Sequence, residues 1–522
     1  MPYNYQKIYL TLYFSSLIIF VINLLLQGQI YFSYYDSLGL ILKISPIIWL
    51  GYAILLILIY FQFVNYRKID QKFVFLTFLL LIVYLIGTPF FYEYLPRFPD
   101  TWTHSYIAQK MFETGNVVNN LSGYEEYPGS FLFYGVLFQI LPPYLVMKFF
   151  PPLFYVIGVV TIYLLFKHFF DSKVSFLASV LYLFFNWTVE DNHLSPQFLV
   201  LNIYFIFMLV LIKMLSIPKK YKMPYVFLSF LLIPVIVFSH PGTPIFLILI
   251  LGSMLIICKR LRTLTLLSLF IFLVLVYSTY TYFQSIYFES YISHFNQFLE
   301  LLRFGQLGGA TERLSTSSSN RIIFLASRLG ITFFSVALGI LGIHYIRKRG
   351  YKTEANLLIG WSFAMLVFSI FVSVALKGEY YERFVLISSL PLAAVCAYFM
   401  NKSKFPGIII LIILLLISPL YFIAKYGNEA FESVSLEKLK AECFSLNYYD
   451  HCDENQEIVD SPLDYSFLAF GSSYFTVSRE GILATSVYQN MEQSDVNARL
   501  ESIVVNNTLD KIYSTNNVMV YK

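Results

Sequence analysis

The chain has 522 residues, of which 58% are hydrophobic, 19% aromatic and only 13% charged. With a mean hydropathy of +0.66, that balance excludes a soluble globular protein and points to an all-α polytopic membrane protein. The net charge of +5 sits mostly in short loops between apolar runs, where it orients the chain in a bilayer, so no nucleic-acid partner is expected.

Apolar runs of spanning length open the chain near 8–26, 45–63 and 73–90. No small-residue cleavage site follows the first, which reads as a retained helix rather than a signal peptide. Arg67, Lys68 and Lys72 follow the second run, and short basic loops stay in the cytoplasm. The N-terminus is therefore expected inside, and the polar stretch Phe98–Pro128 outside. Pro99 and Asp100 favour a helix start there, and Gly115 a stop. On that helix Asp100 and His104 share a face with Ile107, Ala108 and Met111. Taken alone, these residues fit an N-capped amphipathic helix on a membrane surface equally well.

The next basic cluster, Lys213 with Lys219, Lys220 and Lys222, again belongs to the cytoplasm. An odd number of crossings must lie between it and the outer stretch, yet four apolar candidates are available: 129–142, 150–166, 174–190 and 197–214. The shortest, 129–142, is too short for a hydrocarbon core of about 30 Å and is assigned as a re-entrant or surface helix of the outer loop. Later spans are expected at 224–240, 244–258, 263–283, 321–344, 355–376, 384–400 and 405–424, giving about 13 in all. Basic clusters at 259–262, 347–352 and 402–404 agree with that alternation.

The expected organisation is a membrane domain over 1–424, with its first outer loop at 91–149, and a small extracytoplasmic α/β domain over 425–522. In the tail, 435–444 reads as a short helix and 510–522 as a β-hairpin. Cys258 and Cys396 lie near the ends of apolar runs and read as reduced and inert. Cys443 and Cys452 fit either an extracytoplasmic disulfide or two free thiols. Asn120 and Asn506 begin outer-side glycosylation sequons, patterns short enough to arise by chance.

This topology gathers a particular set of polar residues on the outer side. They are the Asp100 stretch with Glu125, Glu126 and Tyr127; the turn from Glu190 and Asp191 through His193 to Gln197; His240 before Pro241-Gly242; the 284–320 loop with His294, Arg303, Glu312 and Arg313; and Glu379, Glu382 and Arg383. Ionisable groups at membrane depth are costly and tend to be kept where they act. A carboxylate there could take the proton of an attacking hydroxyl. Carboxylates with a histidine could instead hold a divalent cation against a departing phosphate. Arginine binds phosphate oxygens two at a time, which suits Arg383 and the arginines of 284–328. Plainer roles stay open. Asp191 and His193 would also close a helical hairpin, His240 would also bond a carbonyl at the interface, and Arg383 would also snorkel beside Glu379 or Glu382.

The segments PDTWTHSYIAQKMFETG at 99–115, YEEYPGSFLFYGVLF at 124–138 and VEDNHLSPQ at 189–197 resemble the GT-C class of membrane glycosyltransferases. The resemblance implies a polyprenyl-phosphate-linked sugar as donor, an extracytoplasmic acceptor (lipid, glycan or protein), and inversion at the anomeric carbon. It makes Asp100, with His104 and Asp191, the catalytic set. Glu190, His193, Gln197, His240, Arg313, Arg383 and Tyr127 would bind substrate. Asp100, Asp191 and His193 are candidate ligands for magnesium or manganese. Two departures mark a divergent member: Glu190-Asp191 replaces a clear Asp-x-Asp pair, and two helices precede the Asp100 loop where one is usual. No WWD-type signature occurs, which disfavours en bloc glycan transfer to protein. The expected location is the plasma membrane, multi-pass. The alternatives are a transporter or flippase of lipid-linked sugars and a polysaccharide polymerase or ligase. A transporter would carry polar residues at mid-membrane or broken helices in paired halves, whereas here they collect at helix ends.

Overall fold

The computed structural model describes residues 2–30, 40–93, 95–117, 126–189, 192–257, 264–283, 319–348, 361, 381–402 and 407–427, with four short strands between 476 and 521. In chain order its first helices are α1 (Pro2–Gln27), α2 (Pro46–Val64), α3 (Lys72–Tyr92), α4 (Pro99–Thr114), α5 (Gly129–Ile140), α6 (Pro143–Phe166) and α7 (Ser172–Phe185). Then follow α8 (Pro196–Ser216), α9 (Met223–Ser239), α10 (Thr243–Ile257), α11 (Leu264–Phe283), α12 (Ser319–Lys348), α13 (Tyr381–Lys402) and α14 (Gly407–Tyr426).

Among the described residues, nine helices are long and apolar enough to cross a membrane: α1–α3, α6, α8 and α11–α14. The expectation of about 13 spans is met in part. Helices α7, α9 and α10 stand at expected spans but have 14, 17 and 15 residues. The expected span 355–376 lies outside the described residues. The reason for the shortfall in α7 is visible. The span was expected to reach 190, but the helix stops at Phe185, where the Asn186 side chain donates to the hydroxyls of Tyr155 and Tyr182 and accepts from Thr188. Asn and Thr compete with a helical backbone in this way, and the chain leaves the helix.

Contacts sort the helix ends into two groups. At one end Lys68 meets the Tyr5 hydroxyl at 2.9 Å, Lys173 lies over the Phe63 ring, and the hydroxyls of Tyr66 and Tyr163 bond at 2.8 Å. Lys213 over Tyr225 and the Tyr345 hydroxyl on the Lys402 carbonyl belong to the same end. At the other end Gln27 caps the Lys43 carbonyl, Ile30 bridges to Glu93, and Arg328 of α12 donates to the Ala424 carbonyl of α14. The turns at 186–195 and 239–243 join that second end. Among the described residues, then, the basic loops gather at one end and the histidine-bearing turns at the other.

The short helices α4 and α5 form their own small core at the second end, where Trp102, Ile107, Ala108 and Met111 pack on Phe131, Tyr134 and Phe138, and reach Leu194 and Leu199 of the α7–α8 turn and α8. Gly135 lets the two helices touch, since a Cβ there would lie 2.9 Å from the Ala108 carbonyl oxygen. The opposite face of α5 is apolar and exposed at Leu132, Phe133, Val136 and Ile140. At 12 residues α5 is too short to span.

In the tail, β1 (Thr476–Val477), β2 (Leu483–Ser486), β3 (Lys511–Ser514) and β4 (Val518–Tyr521) form an antiparallel sheet in the order β1-β2-β4-β3. β3 and β4 pair within the segment read as a hairpin, Lys511 opposite Tyr521. The expected helix at 435–444 and the cysteines Cys443, Cys452 and Cys258 lie outside the described residues. Cys396 is a free, buried thiol in α13.

Candidate active site

The site is built on the start of α4. Pro99 occupies the first helical position, where its missing N–H costs nothing. Phe98 is therefore the N-cap, and Asp100 falls inside the first turn rather than capping it as expected. There its carboxylate meets the positive end of the helix dipole. At the far end Gly115 takes φ 64° and returns its N–H to the Met111 carbonyl, the stop read from sequence. Asp100 is exposed, while His104, one turn on, is buried.

Phe98 has φ 71° and ψ 121°, and is the one non-glycine residue with positive φ among those described. A bulky side chain in that region costs roughly 1–3 kcal/mol, and such strain concentrates where geometry is functional. Around it Thr101 donates to the Arg97 carbonyl at 2.9 Å and the Trp102 indole to the Pro96 carbonyl at 3.2 Å. Arg97 forms a buried ion pair with Glu93 and stacks over the rings of both Phe98 and Tyr426.

Three histidines converge beside Asp100. The His104 ring lies parallel to that of His193 with centroids 6.4 Å apart, and the Phe98 ring stands 4.8 Å from His193. His104 Nδ1 donates to the Leu194 carbonyl at 3.1 Å, and His193 Nδ1 donates to the Val189 carbonyl at 3.0 Å. Because carbonyls only accept, both rings carry a proton on Nδ1, and the neutral form of each has its lone pair on Nε2. His240 is the reverse. Its Nδ1 accepts from the backbone N–H groups of Gly242 and Thr243, each at 3.1 Å, so its proton sits on Nε2 as a donor. Arg383 stands beside this turn, its Nη1 3.9 Å from where a Gly242 Cβ would be.

Burial dominates the electrostatics. It lowers His104 to about 4, with the His193 charge adding to the shift and Asp100 opposing it. Burial, with the Arg383 and His104 charges, also holds His240 well below the ordinary histidine range. Both imidazoles are neutral at pH 7.

The turns that carry these groups are fixed by α5 and α11. Tyr134 donates to the Ser195 carbonyl at 2.7 Å and Ser130 to the Ser239 carbonyl at 3.2 Å. Tyr277 donates to the Pro241 carbonyl at 3.1 Å, and Tyr280 to that of Glu126. Tyr127 is fully buried with its ring edge-on to Tyr280, so it packs at the base of the site. Gln197 is buried in the first turn of α8, and its Oε1 has no hydrogen-bond partner among the described residues.

The structure thus brings Asp100, His104, His193, His240 and Arg383 together at one end. Glu190, Asp191, Arg313, Glu125, His294, Arg303 and Glu312 lie outside the described residues. Of the candidate metal ligands, His193 is braced through Nδ1 on the Val189 carbonyl, as ligating histidines commonly are. Among the described residues no three such side chains close on one point. Several groups are added to those read from sequence. Buried Arg97 and Glu93 precede Asp100, Lys148 lies in α6 near Glu93, and Lys425 reaches the Asn186 carbonyl at 3.5 Å. Arg328 lies over Trp187, and Asn192 bonds the Tyr426 hydroxyl at 3.3 Å. Lone cations inside apolar runs, Lys148 and Lys425, are a signal that sequence does carry.

No protein-family model and no curated protein sequence matches the chain. Among solved structures it is similar to three of the Archaeoglobus fulgidus oligosaccharyltransferase, each at 14% identity. These are the form tethered with an acceptor peptide containing the NVT sequon via a disulfide bond (TM-score 0.44, covering 76% of this chain and 59% of that one), the complex with Zn and sulfate (0.45, 74% and 58%), and the apo form (0.47, 74% and 59%). The chain spans less than two thirds of that protein's length.

Proposed function

We propose that the protein is an integral-membrane glycosyltransferase of GT-C type, moving a sugar from a polyprenyl-phosphate carrier to an extracytoplasmic acceptor. The observation that supports this best is the gathering of an exposed carboxylate, the stacked imidazoles of His104 and His193 and a donor pair, His240 with Arg383, at one end of a helical bundle. Groups suited to acid–base work and groups suited to binding phosphate lie there within reach of one another in sequence-distant turns. That suits a donor anchored in lipid and an acceptor arriving from water.

In this reading Asp100 takes the proton of the acceptor nucleophile as it attacks the anomeric carbon. The bond from that carbon to the phosphate oxygen breaks with inversion. Arg383 and the Nε2–H of His240 receive the negative charge on the departing phosphate. His104, held neutral by burial, offers Nε2 as a hydrogen-bond acceptor that orients the nucleophile. A divalent cation, magnesium or manganese, would be held by Asp100, His193 and Asp191 and would neutralise phosphate charge. The tail from 425 is proposed as an extracytoplasmic domain that binds acceptor or covers the site. The plasma membrane, with a cytoplasmic N-terminus, is the proposed location.

The test is a transfer assay on purified protein in nanodiscs with radiolabelled polyprenyl-phosphate sugars. Asp100→Asn should lose on the order of 100-fold or more in rate. Equal transfer by both proteins would remove Asp100 from the mechanism, and uptake of the lipid without transfer would favour a flippase.

A further inference from the structure

We propose that Phe98 is a positioning residue: held at positive φ between Arg97 and Asp100, it locks the first-loop helix bearing Asp100 and His104 onto the second-loop histidine, His193. The inference rests on the transferase reading for its consequence, but not for its geometry.

Local sequence gives Phe98 no reason to adopt φ 71°. A glycine or asparagine would serve as a left-handed entry to the helix with less strain. What the conformation achieves is a direction. It turns the ring out of the α4 entry and against the His193 imidazole, 4.8 Å away and inclined by 41°. The other face of the link is held by charge. The Arg97 guanidinium sits 5.5 Å from the Phe98 ring and 5.2 Å from that of Tyr426, and its own geometry is fixed by the ion pair with Glu93. Tyr426 in turn donates to the Leu85 carbonyl at 2.6 Å, within the π-helical turn Val83–Gly87, and accepts from Asn192, the neighbour of His193. A closed circuit results: Glu93, Arg97, Phe98 and His193 on one side, and Arg97, Tyr426 and Asn192 on the other.

Without the ring, His193 keeps, among the described residues, its Nδ1 bond to Val189, a partner on its own turn, and its parallel neighbour His104. The Asp100 helix and the second loop are then joined by the His104–Leu194 hydrogen bond and the apolar packing of Leu194, neither of which touches the His193 ring. Groups that must act on one reacting centre lose rate steeply when displaced by about an ångström.

The experiment uses the full-length protein in nanodiscs with isotope-labelled histidine; the chain has seven histidines, so the spectrum is simple. His193 is assigned by its loss in His193→Gln. Phe98→Leu keeps an apolar side chain without a ring current, and Phe98→Tyr keeps the ring. We expect the His193 signal to move in Phe98→Leu and to stay in Phe98→Tyr. Transfer should fall on the order of 10- to 100-fold in Phe98→Leu, mostly in kcat, and recover in Phe98→Tyr. A His193 signal indifferent to Phe98→Leu overturns the proposal, as does a shifted signal with unchanged transfer. Wild-type protein with no transfer would instead overturn the transferase reading, and the His193 signal would still decide whether Phe98 holds that ring.

Discussion

The two ends of the bundle use the same kinds of residue in opposite ways. At the basic end, cations stay partly in water and lie on aromatic rings: Lys68 on Tyr5, Lys173 on Phe63, Lys213 on Tyr225. At the histidine end, Arg97, Lys148, Arg328 and Lys425 are all buried, Glu93 beside them. The first arrangement is what a bilayer surface asks of any helical protein. The second costs desolvation and is maintained only by a network of partners. Charge at the basic end rests on ring faces, and charge at the histidine end is buried among protein partners.

Breaking one ion pair at each end gives the sharpest contrast. Arg97→Met leaves the Glu93 carboxylate buried and should destabilise the solubilised protein by roughly 3–5 kcal/mol. Asp70→Asn removes the exposed pair with Lys72, 3.4 Å long, and should leave the melting temperature unchanged. Thermal unfolding in detergent reads both, and equal shifts would erase the distinction between the ends. A smaller effect is expected from pH. The folded value of His104, about 4, lies below the ordinary 6.5, so the unfolded chain takes up a proton first as pH falls. Stability from this group is complete above about 6.5 and is lost down to about 4, a change on the order of 2–4 kcal/mol. His104→Gln should flatten that slope, and an unaltered slope would mean His104 is already charged in the folded protein. Smallest of the three, Gly135→Ala pushes a methyl onto the Ala108 carbonyl and should cost about 1–3 kcal/mol, read again by melting.

Much of this was open to reading in the sequence, because it depends on local pattern. A run of 14 apolar residues between Gly129 and Pro142 is too short to span whatever surrounds it, and α5 appears there. Gly115 after an amphipathic run marks a helix end by its own chemistry. The gathering of Asp100, His104, His193, His240 and Arg383 at one end followed from counting crossings. The remainder is tertiary. No propensity predicts an aromatic residue at positive φ, so the N-cap at Phe98 and the placing of Asp100 one position into the helix were hidden. Glu93 and Arg97, four apart with opposite charge, carried a faint local signal, but their burial comes from Tyr426, more than three hundred residues later. The early end of α7 likewise depends on the hydroxyl of Tyr155 in another helix.

A helix of 12 residues is about 18 Å long, little more than half the hydrocarbon thickness, and α5 turns an oily flank outward over that whole length. Acyl chains that wet this flank cannot extend as they do elsewhere around the protein. Where that flank meets lipid, a leaflet that thins beside α5 would do so at a modest energy per ångström. A depression of that kind would have α4 and α5 at its rim.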